Sequence, residues 1–93
     1  MLVDSHCHIA GPEFADDLDE VVARAQAAGV TRALVILAAD DEPELRQAEQ
    51  VKGQWGDVRF SIGVHPHAAA TFSSDPEESA RRVDRAFNGQ PLA

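Results

Sequence analysis

The segment TRALVIL, residues 31–37, is the clearest strand signal in this chain of 93 residues. It is rich in branched apolar side chains and shows no alternation of apolar and polar residues, a pattern typical of a strand buried on both faces of a parallel sheet. Two further strands are predicted around it. They cover residues 2–9, a short apolar run, and residues 58–64, in which every second side chain is apolar.

Helices are predicted between these strands. Apolar residues at i, i+3 and i+4 spacing mark the first helix, with Asp17 and Glu20 as a capping pair at its start and Gly29 as its C-terminal cap. The apolar stripe of this helix consists of Phe14, Leu18, Val21, Val22 and Ala25.

Two more helices follow the second and third strands. One is predicted over about residues 42–52, and Asp41 is expected to cap its start. The other begins with the capping pair Ser74 and Glu77 and ends at Asn88, which a glycine follows.

Strand starts therefore recur about every 30 residues, with a helix between each pair, and residues 91–93 resemble the start of a fourth strand. This rhythm predicts βαβ units with right-handed crossovers and parallel strands. The expected fold class is α/β. The length allows one domain, over residues 1–93.

Two histidines lie at the carboxyl end of the first predicted strand. His6 and His8 are two residues apart, so both project from one face of a strand, where their imidazoles can converge on one metal ion. Asp4 lies one step back and is expected to accept a ring N–H of a histidine or to be buried in a supporting position. Because ligands of parallel α/β sheets bind at the carboxyl ends of the strands, we predict His6 and His8 as metal ligands there.

A third histidine, His65, follows the third strand directly and should face the same mouth of the sheet. Near neutral pH it can hold a phosphate oxygen or a developing negative charge. His67 and Asp40 also lie after strands, but a role in the site is not predicted for either residue.

Composition excludes several classes of protein. The net charge is −8 and the longest basic cluster is Arg81-Arg82, so a phosphate substrate would need cations supplied locally, which points to metal ions. No apolar run is long enough to span a membrane, and the first 15 residues lack signal-peptide features. The single cysteine, Cys7, excludes an internal disulfide and is expected to face the helix layer. We therefore expect a cytoplasmic protein without a membrane partner.

The opening residues 1–30, MLVDSHCHIAGPEFADDLDEVVARAQAAGV, and the later GVHPHAA, residues 63–69, together resemble the amino-terminal part of the TatD family of metal-dependent hydrolases. The resemblance covers the whole chain. The Asp-x-His-x-His opening alone occurs in other amidohydrolase-like or phosphoesterase barrels, but its combination with the second motif at this distance is specific.

This resemblance implies a TIM-type barrel that hydrolyses phosphodiester bonds in DNA, with a metal-activated water as the nucleophile. It implies divalent metal ions, namely Mg²⁺, Mn²⁺ or Zn²⁺, with two ions in a complete site. It assigns His6 and His8 as ligands of one metal ion and His65 to the substrate pocket, with DNA as the substrate.

The family comparison also implies that the chain is incomplete, because members of the family contain about 260 residues and eight βα units. Their metal-bridging glutamate would lie just after Ala93, with two histidines and an aspartate further on, so the catalytic residues are expected beyond Ala93. We expect an amino-terminal fragment of three units plus the start of a fourth strand. It should be inactive alone, and should self-associate or require the missing carboxyl-terminal portion.

Two alternatives stay open at this point. One is a sister metal hydrolase that cleaves small amides or phosphoesters. The other is a non-catalytic barrel fragment that acts as an interaction module, by dimerising or by pairing with a separate carboxyl-terminal protein.

Overall fold

The structure, a computed structural model, describes residues 1–66, 69–70 and 74–88. In these residues strands and α-helices alternate along the chain. A short 3₁₀ helix, Pro12–Phe14, lies between the first strand and the first α-helix. The strands are β1 (Leu2–Cys7), β2 (Val30–Ala38) and β3 (Val58–Gly63), and the helices are α1 (Leu18–Ala27), α2 (Glu42–Gln54) and α3 (Pro76–Asn88).

The strands described form a parallel sheet in the order β1-β2-β3, so each strand pairs with the next one along the chain. A doubly wound sheet would instead reverse its strand order part of the way through. Sequential parallel strands joined by helices are the pattern of a TIM-type barrel, and the predicted α/β class is confirmed. The predicted fourth strand, residues 91–93, lies outside the described residues.

One face of the sheet packs against α1 and α2. Its strand side chains are buried, as are the helix side chains that cover them, and together they form the core. The strand members are Ala33, Val35, Leu37, Val58 and Phe60, and the helix members are Leu18, Val22, Ala48 and Val51. Of the predicted apolar stripe, Leu18 and Val22 are therefore in the core and Ala25 packs against it.

The opposite face of the sheet is less covered. The register places Leu34 beside Arg59 and Ile36 beside Ser61, and of these four residues three are half-buried while Arg59 is exposed. The prediction that β2 is buried on both faces is therefore met fully on one face and partly on the other. In the described residues, the core forms on the side of the sheet that α1 and α2 cover.

The sequence signals for helix ends are confirmed at two positions. Asp41 Oδ1 accepts the backbone N–H of Glu44 at 3.0 Å and caps α2. Gly29 follows α1 with φ of 96°, a left-handed conformation that residues with a side chain rarely adopt, and its N–H donates to the carbonyl of Gln26.

Two other helix starts differ from the prediction. Asp17 occupies the cap position of α1 but its side chain makes no capping hydrogen bond, and the N–H of Glu20 is bonded instead by the adjacent Asp19. At α3 the cap lies one residue later than predicted, because Asp75 Oδ1 accepts the N–H of Glu78. Both regions contain several acidic residues close together, and local geometry selects among them.

The first helix also begins later than its apolar stripe suggests. Phe14 belongs to the short 3₁₀ helix, and α1 starts at Leu18. Large apolar side chains exposed to solvent include Met1, Leu2 and Val3 at the start of β1 and Phe87 in α3. None of the helices in the described part of the chain is long and apolar enough to cross a membrane.

Candidate metal and substrate site

A cavity of about 700 Å³ opens at the carboxyl ends of the three strands. Each strand exit contributes to its wall, as expected for a ligand site in a parallel α/β sheet. Its polar lining consists of His6 from β1 and His8 directly after it, Asp40, Asp41 and Glu44 after β2, and Ser61 and His65 from β3 and the segment after it.

His6 and His8 point to the same place. Their Nε2 atoms lie 3.2 Å apart, and their ring centroids are separated by 5.0 Å at an interplanar angle of 70°. Two nitrogens that each lie about 2.0–2.1 Å from one tetrahedral zinc ion are separated by roughly 3.4 Å. The pair therefore fits a shared divalent cation. At this distance the two nitrogens can also pair as hydrogen-bond donor and acceptor, in roles set by the tautomers of the rings.

Among the described residues no group of three or more His, Cys, Asp or Glu side chains is placed to hold a metal ion. A catalytic metal site commonly has three protein ligands and an open position. His6 and His8 could supply two of these ligands.

A bulge in β1 sets the direction of the histidines. Asp4 pairs with Ala33 and Cys7 pairs with Val35, so β1 has one residue more than β2 between these pairs. The side chain of Asp4 is exposed, and its Oδ1 accepts the backbone N–H of His6 at 3.0 Å across the bulge. Bulges of this kind re-aim side chains next to functional sites. Asp4 therefore contacts the backbone of His6, whereas the sequence suggested a ring nitrogen or a buried position.

Cys7 faces the other way. It packs against the core on the helix side of the sheet, as predicted, and its Sγ lies 3.7 Å from the carbonyl of Leu34. Burial raises the pKa of the Cys7 thiol above its usual value, so the thiol stays protonated at neutral pH.

His65 is exposed and lines the same cavity as His6 and His8, although 57 residues separate it from His8 along the chain. The sequence predicted that these three side chains would meet at one rim, and the cavity contains all of them. Asp40, which was not predicted as a site residue, also lines this cavity and is half-buried. His67 lies outside the described residues.

The sequence did not single out Glu44, which lies in the first turn of α2 and lines the cavity. Its Oε1 accepts the backbone N–H of Ala38, the last residue of β2, at 3.0 Å. Burial raises the pKa of the Glu44 carboxyl above its ordinary value, and the negative charges of Asp41 and Glu13 raise it further, against the lowering effect of the Ala38 hydrogen bond. The available signal was the Asp41-x-x-Glu44 spacing of a capping box.

Comparison with known proteins identifies similar sequences. Residues 3–92 match the model of a family described as TatD related DNase. The chain is 36% identical over 84 residues to a "3'-5' ssDNA/RNA exonuclease TatD" of Klebsiella pneumoniae (strain 342), covering 90% of this chain and 31% of that protein. It is also 36% identical over 66 residues to "Deoxyribonuclease TATDN3" of Homo sapiens, covering 70% of this chain and 23% of that protein.

A third similar protein is named "Uncharacterized metal-dependent hydrolase YabD", from Bacillus subtilis (strain 168). It is 33% identical over 66 residues, which is 71% of this chain and 25% of that protein. The chain thus spans about a third or less of the length of the curated relatives it matches.

Proposed function

Because the chain belongs to the TatD-related DNase family, we propose that it supplies the first pair of metal ligands and part of the substrate pocket of a hydrolase that cleaves phosphodiester bonds in DNA. The observation that carries this proposal is the 3.2 Å separation of the His6 and His8 Nε2 atoms in a cavity at the carboxyl ends of parallel strands. Residues 1–93 would then be the amino-terminal part of one hydrolase domain.

His6 and His8 would hold one divalent cation. Imidazole ligands suit Zn²⁺ better than Mg²⁺, which prefers carboxylates and water, and Mn²⁺ accepts both kinds of ligand environment. A bound ion of this kind polarises a phosphoryl oxygen and lowers the pKa of a coordinated water. In a complete site, a second ion and further ligands would come from parts of the protein outside the described residues.

Asp4 supports this pair through the backbone. By accepting the N–H of His6, its carboxylate fixes the bulge and so the direction in which His6 projects. Its negative charge close to the pair also favours a cation over an anion at this position.

His65 would contact the substrate. It lies in the same cavity as the histidine pair, and an imidazole can donate a hydrogen bond to a non-bridging phosphate oxygen. The chain carries a net charge of −8, so an anionic substrate must be attracted by local positive charge. A metal ion at His6 and His8 would provide that local charge, and His65 would add a hydrogen-bond donor.

The names of the relatives support a nucleic acid as the substrate, since two of them are a "3'-5' ssDNA/RNA exonuclease" and a "Deoxyribonuclease". DNA is the proposed substrate. Hydrolysis of RNA or of a small phosphoester in place of DNA is a distinct outcome of the activity test described below.

The first test is a calorimetric titration of Zn²⁺ and of Mn²⁺ into the 93-residue chain. Wild type should bind about one ion, and the His6→Ala/His8→Ala double variant should lose this binding while its circular dichroism spectrum stays unchanged. His65→Ala is the matched control, because it removes an imidazole from the same cavity and should leave metal binding intact. Binding that survives in the folded double variant would contradict the assignment.

The second test examines activity. Residues 1–66 are joined to the remainder of the Klebsiella pneumoniae relative, and the fusion is given 3′-labelled single-stranded DNA, the matching RNA and a small phosphoester. We expect DNA hydrolysis that His6→Ala reduces by about 100-fold or more, because loss of a group that only supports a metal ligand already costs about 10–100-fold. A fusion that binds metal but hydrolyses only the small phosphoester would overturn the choice of substrate.

A further inference from the structure

The first turn of α2 is connected to the end of β2 in an unusual way. In an ordinary capping box, the acidic side chain three residues into the helix bonds to the backbone N–H of the cap residue. Here the N–H of the cap residue Asp41 donates to the carbonyl of Ala38, at 3.1 Å. Glu44 instead reaches past the cap and accepts the N–H of Ala38 itself, six residues back. The carboxylate therefore bonds to the strand end, and the helix cap is left to Asp41.

This strand end is connected in turn to β3. The N–H of Ala39 donates to the carbonyl of Gly63 at 2.9 Å, and Gly63 is the last residue of β3. His65 follows only two residues later. A continuous series of bonds thus runs from Glu44 through Ala38 and Ala39 to Gly63 and the segment that carries His65.

Four residues of this series, Ala38, Glu44, Gly63 and His65, line the same cavity, and His6 and His8 line it as well. Glu44 is half-buried and has the carboxylates of Asp41 and Glu13 as neighbours, so its position there is electrostatically unfavourable. A glutamate whose purpose was only to cap a helix would be better placed in solvent.

We propose that Glu44 is a positioning residue: its hydrogen bond to Ala38 locks the end of β2 and, through the bond between Ala39 and Gly63, holds His65 at the cavity. The positioning itself follows from these contacts alone. Its importance for substrate binding rests on the proposed function.

The test compares three variants of the 93-residue chain by NMR. Glu44→Ala removes the acceptor, Glu44→Gln keeps a side-chain oxygen of the same reach, and Glu42→Ala is the control because it removes an acidic side chain from the same turn of α2. The readouts are hydrogen exchange at the Ala38 and Ala39 amides and the ring resonances of His65.

In Glu44→Ala we expect exchange at both amides to be about tenfold faster and the His65 resonances to shift. Glu44→Gln should restore the wild-type values of both readouts, and Glu42→Ala should change neither. If Glu44→Ala does not fold, Glu44→Asp replaces it, because it keeps the charge but shortens the side chain by one methylene group.

Two results would overturn the proposal. If Glu44→Ala speeds exchange at Ala38 but leaves the His65 resonances unchanged, Glu44 stabilises only the end of β2. If Glu44→Gln does not restore the resonances, the charge of Glu44 and not its hydrogen bond is responsible. A Zn²⁺ titration of the wild-type chain, observed at the His6 and His8 resonances, tests the proposed function independently of the role of Glu44. If the wild-type chain does not bind Zn²⁺, the proposed function is contradicted, but the positioning result is unaffected.

Discussion

The two faces of the sheet differ in what they contain and in how far they are covered. Toward α1 and α2, Val35 and Leu37 are at most 1% exposed, whereas their neighbours in β2 on the other face, Leu34 and Ile36, are half-buried. The second face leads to the cavity and its histidines. We infer that, in the described residues, the helix face supplies most of the hydrophobic stabilisation and the cavity face supplies less.

This division follows from the energetics of burial. Each apolar side chain that leaves water contributes about 25 cal/mol per Å², so the closely packed face gains most of the hydrophobic free energy. Polar groups at the other face cost little, since water still reaches them. Four tests examine the comparison, from the largest expected effect on the free energy of unfolding to the smallest.

The largest effect is expected from Leu37→Ala on the helix face. Removing a fully buried leucine side chain lowers the free energy of unfolding by about 2–5 kcal/mol. Ile36→Ala, the adjacent position on the cavity face, should cost roughly 1 kcal/mol because half of that burial is absent. Urea unfolding followed by circular dichroism measures both values.

Should Leu37→Ala be unfolded without urea, the milder Leu37→Val gives the same comparison on a smaller scale. Equal losses at positions 36 and 37 would break the distinction between the two faces.

Asp41→Ala tests a residue that lines the cavity and also caps α2. Its Oδ1 accepts the N–H of Glu44, and losing such a cap costs about 1 kcal/mol. Asp40→Ala is the matched control, since Asp40 lines the same cavity and should cost less than about 0.5 kcal/mol. A similar loss in both variants would mean that charge at the rim, rather than the cap, stabilises the turn. The free energy of unfolding from thermal melts at neutral pH distinguishes these outcomes.

Glu44→Gln tests whether the charge of Glu44 on the cavity face lowers the free energy of unfolding. The pKa of Glu44 in the folded chain lies above its ordinary value of 4.5, so between these two pKa values the folded state binds more protons than the unfolded state. The contribution of Glu44 to stability is therefore present at low pH and is lost as the pH rises through that window.

Glu44→Gln keeps an oxygen that can accept the Ala38 N–H and removes the charge. We expect it to melt slightly higher than wild type at pH 7, with the difference vanishing as the pH falls below 4.5. Melting temperatures measured from pH 3 to pH 8 provide the test. A stability difference that grows toward acidic pH would reverse the sign of this argument.

The smallest effect is expected from the His6→Ala/His8→Ala double variant without metal. Both side chains are exposed, so the free energy of unfolding should change by less than about 0.5 kcal/mol. Repeating the urea titration with Zn²⁺ sharpens the comparison, because an ion that binds the folded state stabilises wild type and leaves the double variant unchanged. A large loss of stability without metal would place the histidine pair among the structural residues.

Much of the fold follows from one-dimensional patterns. The predicted strands at 31–37 and 58–64 lie within two residues of β2 and β3 at each end, because branched apolar runs and period-two alternation directly reflect burial in a sheet. The meeting of His65 with His6 and His8 in one cavity was also predictable, since all parallel strands end at the same edge.

Other features depend on contacts that a sequence pattern does not encode. The β1 bulge arises from pairing with β2, and it explains why Asp4 bonds to the backbone of His6. Glu44 matched a capping box, but the N–H it accepts belongs to the end of a strand. In both cases the residue type was informative, and its partner was decided by the three-dimensional approach of two segments.

Trp55 has a practical consequence. It is 5% exposed, and its Nε1–H donates to the carbonyl of Thr31 near the start of β2, whereas the cavity lies at the other end of that strand, by Ala38. The β2 residue nearest to Thr31 that lines the cavity is Ile36, and the strand between them spans about 16 Å. The chain has no tyrosine and this single tryptophan, so its intrinsic fluorescence comes from one buried indole. The fluorescence emission of Trp55 should therefore change when the core unfolds and should stay unchanged when a metal ion or nucleotide enters the cavity.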